Sequence, residues 1–134
     1  MENISFQGTI PTSFEESIEL IENGLKKQGF GIVSRIDMHA TLKEKLDVEI
    51  KKYTILGACN APYAYQVLLS DLLAGLLLPC NVTVEELSDK ETRISFIRPS
   101  LMLSIGEIGK NEKISAIAAE IEKKLSIVTT DIFT

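Results

Sequence analysis

Two Cys-Asn dipeptides, Cys59-Asn60 and Cys80-Asn81, are the residues of this chain whose types and placement best suit chemistry. A thiol is a nucleophile and a soft ligand, and a neighbouring amide can orient whatever the thiol holds. These are the only cysteines in 134 residues. Brought together they suit a reversible disulfide, a carried persulfide, or two soft ligands for zinc or copper(I). Their spacing is not Cys-x-x-Cys, and two thiolates fall short of the four ligands of a structural zinc site. A metal centre therefore needs further groups or a partner copy. His39, the single histidine, is the candidate third ligand or proton carrier, although a lone histidine in a polar turn is more often solvent-exposed. Packing offers a simpler account of every one of these residues: cysteine often fills a core as a small hydrophobe, and asparagine caps helices and forms turns.

The elements that carry the dipeptides are legible. Tyr53 to Ala58 is rich in aromatic and β-branched residues and reads as a central strand ending at Cys59. Ala61-Pro62 then suits a first helical turn, where proline forfeits no hydrogen bond, with Asn60 as the cap. Cys59 thus sits beside the amide end of a helix, the usual setting of a reactive thiol. Cys80 stands where the next strand begins, since Val82 and Val84 alternate with Thr83 and Glu85. If the two strands pair antiparallel, both thiols lie at the same end. Tyr63 reads as lining a pocket mouth beside Cys59, with one of Tyr63 and Tyr65 packed in the core or in a dimer interface. Asp37 and Arg35 read as a polar cluster near the same edge, or more plainly as a helix cap and a surface cation.

Around these lie the remaining elements. Ser13-Phe14-Glu15-Glu16 has capping-box spacing, and Phe14, Ile18, Ile21 and Leu25 mark one face of a helix that Gly29 ends. Phe30, Ile32, Ser34 and Ile36 alternate as a strand, and Met38, Leu42 and Leu46 predict a short helix capped by Asp37. Tyr65, Leu68, Leu69 and Leu72 predict the buried stripe of the helix after Cys59. A hairpin turns at Ser88-Asp89-Lys90 into Thr92, Ile94 and Phe96, and Asn111 caps a last helix bearing Ile114, Ile117, Ile121 and Leu125. The stretch 101–109 alternates but is broken by two glycines, and its conformation is left open.

Composition narrows the function classes. The length fits one domain with one core, and 45% hydrophobic with 25% charged residues is ordinary globular composition without linkers. Met1 to Ser5 has no basic cluster followed by an apolar stretch, so a cytoplasmic chain without a leader is expected. The apolar run Leu72 to Leu78 is far short of the roughly 20 residues that cross a bilayer, so no membrane span is expected. A net charge of −5 disfavours nucleic acid. Two cysteines in such a chain stay reduced, which points away from a purely structural disulfide.

The segments Ile55-Leu56-Gly57-Ala58-Cys59-Asn60 and Leu77-Leu78-Pro79-Cys80-Asn81-Val82, with Gly29-Phe30-Gly31, Ile36-Asp37 and the final helix, resemble the cysteine-bearing branch of the domain of unknown function 302 family over roughly residues 5–126. The resemblance implies an α+β fold, a curved antiparallel sheet packed against helices as in the TATA-binding protein, and homodimers. It brings no assigned reaction, and the shared fold implies no DNA binding. Related sequences tend to place proline directly after Cys-Asn, where this chain has Ala61 and then Pro62.

The resulting expectation is a small homodimeric binding domain, with a small-molecule or thiol site at Cys59, Asn60, Cys80, Asn81, Tyr63 and Asp37. Its metal version places zinc or copper on Cys59, Cys80 and His39. One alternative is a thiol-active protein in which Cys59 attacks or carries sulfur and Cys80 resolves the adduct. The other is a structural dimer module with core cysteines.

Overall fold

Alternation of apolar residues in the strands around the two cysteines sets the layer plan. In the computed structural model, which describes residues 3–134, Leu56, Ala58, Val82, Val84, Ile94 and Phe96 are fully buried on one face of a sheet. Thr83 and Ser95 between them are partly exposed on the other face, where Gly57 is buried. Met1 and Glu2, part of the N-terminal run read for a leader, lie outside the described residues.

The chain runs β1 (Ser5–Ile10), α1 (Phe14–Lys27), β2 (Gly31–Asp37), α2 (Met38–Leu46), β3 (Tyr53–Cys59), α3 (Ala61–Ser70), a 3₁₀ turn (Leu72–Leu77), β4 (Cys80–Ser88), β5 (Glu91–Ile97), α4 (Pro99–Met102), a second 3₁₀ turn (Ile108–Lys110) and α5 (Glu112–Phe133). Among the described residues the five strands form one open sheet in the order β1-β5-β4-β3-β2, each pair antiparallel. Helices α1 and α5 cover the apolar face. Phe14, Ile18, Ile21 and Leu25 from α1 and Ile121, Leu125 and Val128 from α5 join the strand residues in one buried cluster. The uncovered face carries Ser5, Gln7, Thr83, Glu85 and Ser95, as expected of an antiparallel sheet wetted on one side. This is the α+β arrangement of a sheet packed against helices.

A second buried cluster, Val67, Ala74, Leu103, Ile108, Ile114 and Ala118, ties α3 and its following turn to the start of α5, and Met102 and Ile117 pack against both clusters. It also settles the stretch 101–109: Leu103 and Ile108 are buried at either end of a tight turn between two short helical pieces.

Local signals predicted both ends of α1 and the start of α5. Ser13 Oγ accepts from the Glu16 amide at 3.2 Å and Asn111 Oδ1 from the Ile114 amide at 3.1 Å. Gly29, at φ +83°, reverses the chain after α1, with the Phe30 amide donating to the Leu25 carbonyl.

Three expectations change. Strand β1 was not anticipated, because Ser-Phe-Gln-Gly-Thr-Ile buries fully only Ile10 and is held by pairing with distant β5 (Ser5 with Ile97, Ile10 with Thr92). The stripe on α3 is wrong: Val67 is its buried residue, while Tyr65, Leu69 and Leu72 point outward. A leucine-rich segment is apolar on every side, so spacing could not select the inner face. Finally, Asp37 stands at the N-cap position of α2 but makes no side-chain cap there. Its carboxylate accepts instead from Thr54 Oγ1 at 2.7 Å and Arg35 Nε at 3.0 Å, both on the sheet. Among the described residues no helix is long and apolar enough to cross a membrane.

Candidate functional site

Strand register decides whether the cysteines meet. Between β3 and β4, Ala58 pairs with Cys80 and Gly57 with Asn81, so Cys80 lies opposite the residue that precedes Cys59. The two thiols occupy the same end of neighbouring strands, both free, Cys59 half-buried and Cys80 buried in the main cluster. Gly57 permits this close packing. A Cβ there would fall 2.6 Å from Pro79 Cγ and onto Ser34 Oγ, so only glycine lets β2 and Pro79 close over the strand just before Cys59.

Both cysteines line a cavity of about 260 Å³ at this end of the sheet. Its floor is Ala58, Cys59 and Asn60 at the end of β3 with Cys80 from β4. Val33 of the edge strand β2 and Ile121 of α5 flank it, and Ala64 and Leu68 of α3 with Gly75, Leu78 and Pro79 form its outer wall. The wall is apolar apart from the thiols and the Asn60 side chain. The volume exceeds that of an apolar cavity able to hold benzene, so it suits a compact ligand of on the order of ten heavy atoms.

Asn60 is buried at this cavity, and its Nδ2 donates to the Gln28 carbonyl at 3.2 Å. The side chain thus ties the start of α3 to the end of α1, and it makes no side-chain cap on α3. Burial pushes the Cys80 thiol up to about 12, with a smaller contribution from Cys59 close by. Cys80 is consequently a neutral thiol at physiological pH, poorly suited to nucleophilic attack.

The other expected site residues lie elsewhere. Asn81 pairs with Gly57 and is exposed on the uncovered face of the sheet, beside a shallow depression shared with Thr83 and Glu85. Tyr63 is half-buried and packs against the main cluster. Asp37 pairs with Thr54, five positions before Cys59 on β3 and therefore about 16 Å from it. The Thr54 hydroxyl holds the Asp37 carboxyl below the usual carboxylate range against the opposing effect of burial, and Arg35 adds to the lowering. His39 is at that same far end, where its Nδ1 accepts from the Tyr53 amide at 3.0 Å and its ring meets Phe14 edge-on at 6.0 Å. The placement of Asp37 and His39 at a strand end was right, but β2 and β3 are antiparallel, so the end of β2 meets the start of β3. Neither residue reaches the cysteines within one chain. Among the described residues no group of three or more His, Cys, Asp or Glu side chains is arranged to hold a metal.

Most of the cavity wall escaped sequence reasoning because Val33, Ala64, Leu68, Leu78 and Ile121 are ordinary apolar residues with no chemical signature. The one available signal is Gly75 inside the leucine run, which leaves space where a side chain would stand: its Cβ would come no closer than 3.8 Å to Leu68 Cδ2.

No curated protein matches the chain. A crystal structure of an uncharacterized conserved protein, DUF302, from Bacillus stearothermophilus is similar, with 28% sequence identity, a TM-score of 0.84, and coverage of 99% of this chain and 100% of that one. The family model described as "Domain of unknown function DUF302" matches residues 6–132. With nearly its whole length matched, the chain belongs to the DUF302 family.

Proposed function

We propose that the chain is a cytoplasmic homodimeric binding domain that takes a small, neutral, largely apolar molecule into the cavity floored by Cys59 and Cys80. The observation that carries this reading is the cavity itself, an apolar space of about 260 Å³ at one end of the sheet with a half-buried thiol in its floor. Its chemistry favours a neutral guest over a zinc or copper ion, because among the described residues no His, Asp or Glu joins the two thiols in a ligand set and His39 is at the far end of β3. The thiol-active alternative is carried less far. A resolving cysteine must ionise to attack, and the burial that pushes the Cys80 thiol up to about 12 opposes that step.

Indole, with a size and polarity that suit the space, is the probe for this reading. Saturation-transfer NMR on the wild type should show indole bound at millimolar concentration, and indole should slow alkylation of Cys59. Ala64→Leu fills the wall and should abolish both effects. Indole binding that persists in Ala64→Leu, or no binding by the wild type, would sink the proposal.

A further inference from the structure

One polar atom in the cavity lining has no partner in the fold. Asn60 lines the cavity and is 8% exposed, and of its two side-chain polar atoms only Nδ2 is bonded, donating to the Gln28 carbonyl. We propose that Asn60 Oδ1 selects the guest by accepting its hydrogen bond, so that the cavity takes a neutral, indole-sized molecule carrying an N–H or O–H donor. The inference deepens the small-molecule reading above and rests on it.

The turn at the end of α1 fixes which way the amide faces. A carbonyl can only accept, so the Gln28 oxygen holds the NH2 end of the side chain. Gly29 lies against the same atom, since a Cβ there would fall 3.3 Å from Asn60 Nδ2. Oδ1 is therefore the end left over. The ordinary use of an asparagine oxygen at this position is to cap the helix, accepting from its second or third amide. Here the second residue of α3 is Pro62, which has no N–H, and the side chain takes no bond from the third, Tyr63. Oδ1 is not sealed off either: among the described residues the enclosed side-chain N or O atom without a partner is Arg98 Nε. An acceptor that is unpaired, accessible and carried by a buried side chain of the cavity is available to a guest.

The rest of the lining decides the class of guest. Among the described residues none that lines the cavity is charged, and apart from Asn60 and the two cysteines all are apolar. A charged guest would lose its hydration and find no counter-charge. A wholly apolar guest would cover Oδ1 and leave it buried without a hydrogen bond. A single donor on an otherwise apolar frame avoids both costs. The thiols compete poorly for that donor, because sulfur is a weak acceptor beside a carboxamide oxygen.

The test compares indole with benzofuran, which has nearly the same shape and an oxygen in place of the N–H. Binding is read by saturation-transfer NMR titration and by protection of Cys59 from iodoacetamide. The wild type should bind indole about tenfold more tightly than benzofuran. Asn60→Leu, which keeps the volume and removes the acceptor, should lose that preference, with circular dichroism confirming its fold. The wild-type comparison needs no variant, so a folding failure in Asn60→Leu leaves the test intact. A wild type that binds benzofuran as tightly as indole would overturn the role of Oδ1 while leaving the cavity reading standing. A preference that persists in folded Asn60→Leu would assign the donor to another group and overturn it equally. Failure of both compounds to bind the wild type would refute the cavity reading itself, and this inference with it.

Discussion

Cys59→Ser leaves Cys80 as the only thiol, and its reactivity can be worked out from its burial. Cys80 is 4% exposed, and burial raises its thiol from an ordinary 9.0 to about 12. Three units mean about a thousandfold less thiolate at neutral pH, and alkylation proceeds through the thiolate. Iodoacetamide labelling followed by intact-mass spectrometry should therefore be at least about a thousandfold slower in the native variant than in the same variant unfolded in urea. The same shift has a thermodynamic face. The folded state holds the thiol proton to higher pH than the unfolded state does, so the contribution of Cys80 to stability is complete below about pH 9 and is lost as pH rises through about 12. At roughly 1.4 kcal/mol per unit, the loss reaches about 4 kcal/mol. Urea denaturation between about pH 8 and pH 11 should show the wild type losing stability over this range more steeply than Cys80→Ala. Native labelling within about tenfold of the unfolded rate, or parallel pH dependence in the two proteins, would refute the reasoning.

Two further changes probe the frame of the site. Thr54→Val removes the fully buried hydroxyl that donates to Asp37, and urea denaturation should show a loss of about 1 kcal/mol. The Asp37 carboxyl is held low in the folded state, so its contribution is present above the unfolded value and is lost as pH falls through the folded one. Removing the donor raises the folded value, and acid unfolding of Thr54→Val should begin at a higher pH than in the wild type. An unchanged acid midpoint would contradict this. Gly57→Ala forces a methyl against Pro79 and Ser34 and should cost about 1–3 kcal/mol in urea denaturation. A loss below about 0.5 kcal/mol would mean that β2 and Pro79 yield more easily than their packing indicates.

What could be read from the residues depended on how local the deciding contact was. The cap at Ser13, the turn at Ser88-Asp89-Lys90 and the apolar face of α5 are settled within a few residues, and the structure contains them. Strand β1 is settled by β5, which lies far along the chain, and its own six residues alternate too weakly to announce it. The same distinction runs through the candidate site. That Cys59 and Cys80 share one end of the sheet follows from two recognisable strands pairing antiparallel. That Asp37 and His39 lie at the other end requires knowing that β2 also pairs with β3. The inner face of α3 was hidden for a different reason, since its leucines are interchangeable until the sheet and α5 choose among them.

The strand order has a consequence for how the chain acquires its shape. Strands β2, β3 and β4 each pair with the next in sequence, but β1 finds its partner only in β5, with Ser5 opposite Ile97. On a ribosome the first strand must wait until nearly three-quarters of the 134 residues exist before it can pair. Closing so long a loop costs chain entropy before any contact repays it, so docking of β1 belongs to the late, slow part of folding. Until then β5 is an open edge, available to pair with another unfinished chain.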